Sequence, residues 1–319
     1  MRSRSRTQIL FSVELGPRGT TPDYETVKTI CLEAERLGYY AFYLPDGVQW
    51  TGFECWTTLA HLAASTSTIR LGPAATFFTY RHPTLLAKTA STLDYLSNGR
   101  LELRLGAGSA SAKIDHEHSG ISQPDPKTRV AMLNEGLKLI KRLWSEPKVT
   151  YEGKYYTTND AECWPKPLQK PHPPITVCAN SQKTMRIAAQ QADTWETTGG
   201  LDEYRRKKDF FKTCCQTIHQ DFNSIRKSLE VNIAVAENNQ EAEEIVRKQR
   251  STHRVAPDSA YDPLRDAIIG RPDRCADALS NLVRVGISSF DIYFIGTNYL
   301  KSLRLFARGV VPILRDPDN

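Results

Sequence analysis

The chain has 319 residues, 40% hydrophobic and 24% charged, ordinary proportions for a soluble globular protein with room for a large core. Arg2, Arg4 and Arg6 supply half of its formal charge of +6 and no nucleic-acid-binding motif accompanies them, so no polynucleotide partner is expected, although a small polyanionic ligand suits the charge. No run approaches the roughly 18 apolar residues of a membrane span, and seven cysteines without a C-x-x-C speak against both a disulfide framework and a zinc knuckle.

Residues 1–8 read as a frayed arm and 9–319 as one domain. The three arginines ahead of "ILFSVEL" imitate a signal peptide, but Glu14 interrupts the apolar run and no small-residue cleavage site follows, so a cytoplasmic protein is expected. "ILFSVEL" is the first strand. "PDYETVKTICLEAERLG" then sets Val27, Ile30, Cys31, Ala34 and Leu37 on one helical face, with Gly38 as the stop. Strand "YYAFYL", helix "WTTLAHLAAS", strand "IRLGPAAT", helix "TLLAKTASTLDYLSNG" and strand "RLELRLG" follow. After a polar stretch read as non-helical, "TRVAMLNEGLKLIKRLW" carries Val130, Leu133, Leu137, Ile140 and Trp144 at helical spacing. "VTYEGKYYT" reads as an inserted hairpin near 149–157, and "WPKPLQKPHPP" as a proline-rich connector. Strand "ITVCA", helix "SQKTMRIAAQQ" and strand "DTWET" come next, then a helix near 202–220 whose "YRRKKDFFK" reads as a solvated face. Strand "LEVNIAVAE", helices near 239–250 and at "PDRCADALSNLVRVG", strand "ISSFDIYFIG" and a last helix complete the chain.

About eight β/α units without a composition break favour a closed parallel (β/α)8 barrel over an open doubly wound sheet. "GRLELRLGAGSASAK" tests that choice. Gly106, Ala107 and Gly108 begin a G-x-G-x-x-G, but position 111 is Ser and no helix is expected to open there. The turn also follows the fourth strand, so it reads as the C-terminal mouth of a barrel strand, where such barrels keep their ligands.

Several segments, in order and spacing, resemble the luciferase-like flavin- and deazaflavin-dependent oxidoreductases, (β/α)8 barrels with insertions. They include "AERLGYYAFYLPD", "WTTLAHLAASTSTIRLGPAATFFTYRHPTLLAKTASTLDYLSNGRLELRLGAGS", "VAMLNEGLKLIKRLW", "VTYEGKYY", "PKPLQKPHPPITVCA" and "KTMRIAAQQADTW". The resemblance is nearest to the coenzyme F420-dependent methylenetetrahydromethanopterin reductase-like branch. It implies a tricyclic ring over a bulge at Ala74, Ala75 and Thr76, with a non-prolyl cis bond between Ala74 and Ala75. It also implies a cofactor phosphate held by Gly106, Ala107, Gly108 and Ser109 and by Ala179, Asn180, Ser181 and Gln182. Glu14 resembles an active-site glutamate of those reductases. Asp46 stands where the family often has Asp-His, but here Gly47 follows it. Ala179-Asn180 replaces a frequent pair of glycines.

The resemblance thus implies F420-dependent hydride transfer on a small-molecule substrate by a homodimer, with Glu14 and Asp46 as catalytic residues. The alternative is a reduced-FMN monooxygenase served by a separate flavin reductase, and a rival of another class is a flavin-binding protein without catalysis. Trp50, Trp56, Phe77 and Tyr80 would wall an apolar pocket or pack in the core. "DHEHS", residues 115–119, has metal-ligand chemistry, but adjacent residues aim poorly at one ion, so no metal is expected.

Overall fold

The computed structural model describes residues 8–16, 23–48, 52–108, 112–252 and 264–315, so the arm from Met1 to Thr7 lies outside the described residues. The strands are β1 (Leu10–Glu14), β2 (Ala41–Leu44), β3 (Arg70–Pro73), β4 (Thr76–Phe77), β5 (Leu103–Gly106), β6 (Val149–Glu152), β7 (Thr157–Ala161), β8 (Ile175–Cys178), β9 (Thr194–Thr197), β10 (Arg226–Val235), β11 (Ile268–Gly270) and β12 (Ser289–Phe294). All but β6 and β7 belong to one sheet in the order β3-β2-β1-β12-β10-β9-β8-β5-β4, with β11 added on β10. Every pairing in it is parallel. Leu71 closes the ring by donating its N–H to the Arg100 carbonyl at 2.9 Å and accepting from the Glu102 N–H at 2.9 Å. Taking β3 and β4 as one interrupted strand, this is the expected (β/α)8 barrel.

Helices α1 (Tyr24–Arg36), α2 (Cys55–Ser65), α3 (Pro83–Leu96), α4 (Lys113–Ser119), α5 (Pro126–Ser145), α6 (Gln182–Gln191), α7 (Leu201–Thr217), α8 (Asn239–Thr252), α9 (Pro272–Arg284), α10 (Tyr299–Gly309) and α11 (Val311–Arg315) complete the chain. The apolar stripe of α1 is buried at Val27, Ile30, Cys31 and Ala34, and Asp23 caps its start by accepting from the Thr26 N–H at 3.0 Å. Outward-facing strand residues meet the helices: Phe11 stacks on Phe290 at 5.8 Å, and both Phe11 and Phe294 lie edge-on to Phe306 of α10. The hairpin β6–β7 forms a separate antiparallel pair, as expected. Buried Asp94 on α3 holds the proline-rich connector by accepting from the Leu168 N–H, the Gln169 N–H and the Gln169 amide.

One expectation fails here. Residues 113–119 form helix α4 rather than a loop. Seven residues are too few for a hydrophobic period to register, and the two α4 side chains that become buried, Asp115 and His116, are polar. The seven cysteines are all free thiols, with Cys178 the sole member that is not fully buried.

A close contact between α5 and the turn after β4 inverts a common rule. A Cβ at Gly136 would stand 1.9 Å from the ring of buried Phe78. Gly to Ala within a helix normally stabilises by up to about 1 kcal/mol. Here Gly136→Ala is expected to destabilise by about 1–3 kcal/mol through overpacking. Urea unfolding checks this, and a stabilised variant would contradict the packing.

Candidate active site

Alternation along β5 gives the site its unusual floor. Leu101, Leu103 and Leu105 pack outward, which turns Glu102 and Arg104 into the barrel. β12 and β9 place Asp291 and Glu196 in the same interior, and β1 ends with Glu14 pointing to the mouth. Barrel interiors are usually filled by branched apolar residues. This one is built around an ion cluster.

Arg104, 2% exposed, pairs with Glu196, with Asp291 at 2.6 Å and with Glu14 at 3.8 Å, and its guanidinium lies 4.3 Å from the centre of the Tyr43 ring. Three carboxylates around one cation leave excess negative charge. The side chain of Glu14 keeps 15% exposure at the open end. Burial, then the neighbouring Asp291 and Glu230 carboxylates, hold Glu14 well above the ordinary carboxylate range, with Arg104 opposing. Asp291 is raised too, chiefly by burial, against Arg104. Both shifts favour keeping a proton on this cluster. After burial, acidic neighbours are the next largest cause of the rise at Glu14. Arg104 Nε and Nη1 and both Asp291 oxygens lack an aligned hydrogen-bond partner among the described residues.

Asp46 follows β2 and is buried. Its Oδ2 accepts from the Thr76 hydroxyl at 2.6 Å, the Trp56 indole at 3.2 Å and Arg81 Nη1 at 2.6 Å. Arg81 also reaches Glu54 at 2.9 Å. Asp46 therefore ties the end of β2 to β4 and to the loop that carries Arg81. Asp46, Glu54, Phe53, Tyr80, Arg81 and Ile121 help enclose a cavity of about 220 Å³.

The expected cofactor residues come together at the strands' C-terminal ends. The Ala74–Ala75 bond is cis, and both alanines are half-buried at the mouth. Phe77 of β4 is in register with Gly106 of β5. Gly108 has φ +82°, a conformation that suits glycine, and Arg129 of α5 clamps this turn by donating to the Ala107 carbonyl at 3.1 Å. Ser109 and Trp50 lie outside the described residues. After β8, the strand next to β5, Ser181 caps α6 in a reciprocal capping box with Thr184. The amides of Gln182 and Lys183 have no partner among the described residues. Asn180 is fixed, because its Oδ1 accepts from the Thr197 hydroxyl, the Thr198 N–H and Lys207 Nζ, at 2.7, 3.0 and 2.9 Å. Ala179 is buried, and its carbonyl accepts from the Trp195 indole at 3.0 Å. Small residues at the bulge, an open helix N-terminus and polar groups on the floor fit a planar ring carrying a phosphate.

One reading needs correction. The α7 basic run is not all solvated: Lys207 turns in to Asn180, the Thr198 carbonyl and Glu203, while Tyr204 and Phe211 of the same run are buried. Of the aromatics expected either to wall a pocket or to pack in the core, Trp56 is core, and Tyr80, which lines the cavity, stacks on His116 at 4.5 Å while donating to Asp115. Asp115 also accepts from the Val48 N–H, and His116 contacts the Thr79 hydroxyl at 2.7 Å, so this pair fastens α4 over the mouth. Among the described residues no three His, Cys, Asp or Glu side chains converge as a metal site. Sequence reasoning missed Arg104, Glu196, Asp291, Glu230, Arg129 and Lys207. Alternation in "RLELRLG" was the available signal, since charges at 100, 102 and 104 share one face of a strand whose other face is leucine.

The cluster has a consequence for stability. Arg104→Met removes the cation and leaves Glu196 and Asp291 buried, an expected loss on the order of 3–5 kcal/mol near pH 8. Without Arg104 the folded-state pKa of Asp291, already raised by burial, rises further above its unfolded value. The folded state then binds extra protons, so the deficit grows as pH rises and narrows towards about pH 5. Urea titrations at both pH values check this. A deficit equal at both would contradict it.

The pattern of the luciferase-like monooxygenase family matches residues 6–289. An uncharacterized protein of Mycobacterium tuberculosis, Rv0953c, is 35% identical over 157 residues, 49% of this chain and 53% of that protein, so the chain spans about half the length of this relative. An F420-dependent glucose-6-phosphate dehydrogenase of Kineococcus radiotolerans is 28% identical over 312 residues, 89% of this chain and 91% of that enzyme. Among solved structures, an F420-dependent secondary alcohol dehydrogenase in complex with an F420-acetone adduct superimposes with a TM-score of 0.81 at 17% identity, covering 97% of this chain and 100% of that one. With residues 6–289 matched, the chain belongs to the luciferase-like monooxygenase family.

Proposed function

We propose that this protein is an F420-dependent oxidoreductase that moves a hydride to or from a small-molecule substrate. The observation that carries the reading is the placement of a proton-holding carboxyl, Glu14, at the floor of a mouth whose rim suits a planar ring and a phosphate. Ala74, Ala75 and Thr76 would support the ring. Gly106 to Gly108, with Ser109, and Ala179 to Gln182 would hold the phosphate side, aided by the α6 N-terminus. When bound, the deazaflavin supplies the carbon that carries the hydride, and the protein supplies position and protons.

Glu14 holds the proton that accompanies hydride transfer, because burial and its acidic neighbours keep it protonated near neutral pH. Asp46, with three donors on one oxygen, acts by fixing Thr76 and Arg81 beside the reacting site. The absence of an imidazole after Asp46 leaves the carboxyl cluster to handle the proton. A relative named as F420-dependent over nine tenths of the chain supports F420. The same rim suits FMN, so a reduced-FMN monooxygenase with a separate reductase is the alternative.

The remaining expectations join this reading: one catalytic domain from residue 9 onward, a cytoplasmic setting and a homodimer. No helix among the described residues is long and apolar enough to cross a membrane. Pairing is supported by α3, where Leu85 and Leu96 are 57% and 62% exposed on one face beside Trp164 at 56%. Light scattering should report a dimer that Leu85→Glu with Leu96→Glu converts to monomer. A monomeric parent protein would contradict pairing.

Titrating the purified protein with F420 and with FMN, by absorbance and fluorescence, tests the cofactor. F420 is expected to bind more tightly. Glu14→Gln should bind F420 near-normally and lose turnover on the order of a hundredfold or more. Full activity in Glu14→Gln would pass the proton role to Asp46 or solvent.

A further inference from the structure

The barrel wall has a break. On one edge of β10, Arg226–Leu229 pair with β9, and Ile233–Val235 pair with β11. Among the described residues, neither of these two ladders extends over residues 230–232, while the other edge stays paired with β12. A cavity of about 490 Å³ fills the break. Gly200 and Asp266 line it at the rim, Ala278 and Asn281 of α9 flank it, and Glu230 and Asn232 also line it.

Glu230 belongs to the cavity and to the acid cluster at once. It is in register with Asp291, which in turn is in register with Ser12 of β1, so it stands one layer below Glu14. Its charge acts on Glu14, on Asp291 and on Cys178, from three other strands of the barrel. Among the described residues, the charged and titratable groups around Glu14 are Arg104 from β5, Tyr43 from β2, Cys178 from β8, Glu196 from β9, Glu230 from β10, and Asp291 and Tyr293 from β12. Of these, Glu230 lines the wall cavity.

We propose that this opening is a side entrance through which water reaches Glu230, and that Glu230 and Asp291 exchange protons between that water and Glu14. The inference deepens the reading of Glu14 as proton holder and rests on it. It answers a problem that reading creates, since a ring lying over the mouth would separate Glu14 from bulk water. A proton that Glu14 gives to the reacting site is replaced from Asp291 and Glu230, and theirs from water in the opening. No electrons move in this exchange.

Access is tested first, in protein without cofactor. Glu230→Cys should react with a small cationic methanethiosulfonate, and adding Ala278→Phe, which fills the outer part of the cavity, should slow the reaction by about tenfold or more. Should Glu230→Cys fail to fold, Asn232→Cys on the same edge serves instead. An unreactive thiol, or a rate unchanged by Ala278→Phe, overturns the entrance. Proton coupling is tested by infrared titration of the protonated carboxyl band that Glu14→Gln removes. Glu230→Gln takes away a neighbouring negative charge, so this band should disappear at lower pH, whereas Ala278→Phe should leave its titration in place. An unmoved titration in Glu230→Gln overturns the coupling. Both measurements use protein without cofactor, so failure to bind F420 or FMN would count against the proposed function and leave these outcomes readable.

Discussion

Arg104 inside the barrel is the constraint on which the rest of the site depends. A guanidinium at 2% exposure is tolerable only with anions around it, and β9, β12 and β1 each contribute one. Once Glu196 and Asp291 have met that need, further carboxyls are in excess. Glu14 then sits where ionising costs more than in water, which favours keeping a proton there. The feature that holds the polar core together thus also prepares an acid at its open end.

The wall and rim serve the same floor. The β3–β4 interruption, the Gly106–Gly108 turn and the start of α6 lie at the C-terminal ends of the strands, where connecting loops are free to differ in chemistry. Each is fixed by a partner from elsewhere in the chain. Asp46 fixes Thr76, Arg129 clamps Ala107, Lys207 and Thr197 hold Asn180, and Asp115 with His116 fastens α4 over the opening. Such supports limit how far a bound ring would need the protein to reorganise.

The barrel was legible because its elements follow apolar periods: α1, α5 and the strand "ITVC" bury most of the residues their spacing marks, with Leu37 and Val130 half-buried. The bulge, the two turns and Glu14 were legible through resemblance, since a short run such as "GPAAT" has no period to read. Helix α4 was not legible, because it docks through Asp115 and His116 rather than through an apolar stripe. The ion cluster was hidden for a related reason. Arg104, Glu196 and Asp291 come from strands far apart in sequence, and a charged residue within a strand reads by default as facing water. Lys207 was misread the same way, because a basic run says nothing about which lysine turns inward.

The protonation of Glu14 carries the account, and carbon-13 NMR of glutamate carboxyls reads it directly. In protein labelled at the glutamate side-chain carboxyl, one resonance should stay in its protonated position well above the pH at which ordinary glutamates ionise, and it should be missing in Glu14→Gln. If every glutamate carboxyl instead titrates in the ordinary range, Glu14 holds no proton near neutral pH, and the cluster around Arg104 is structural alone.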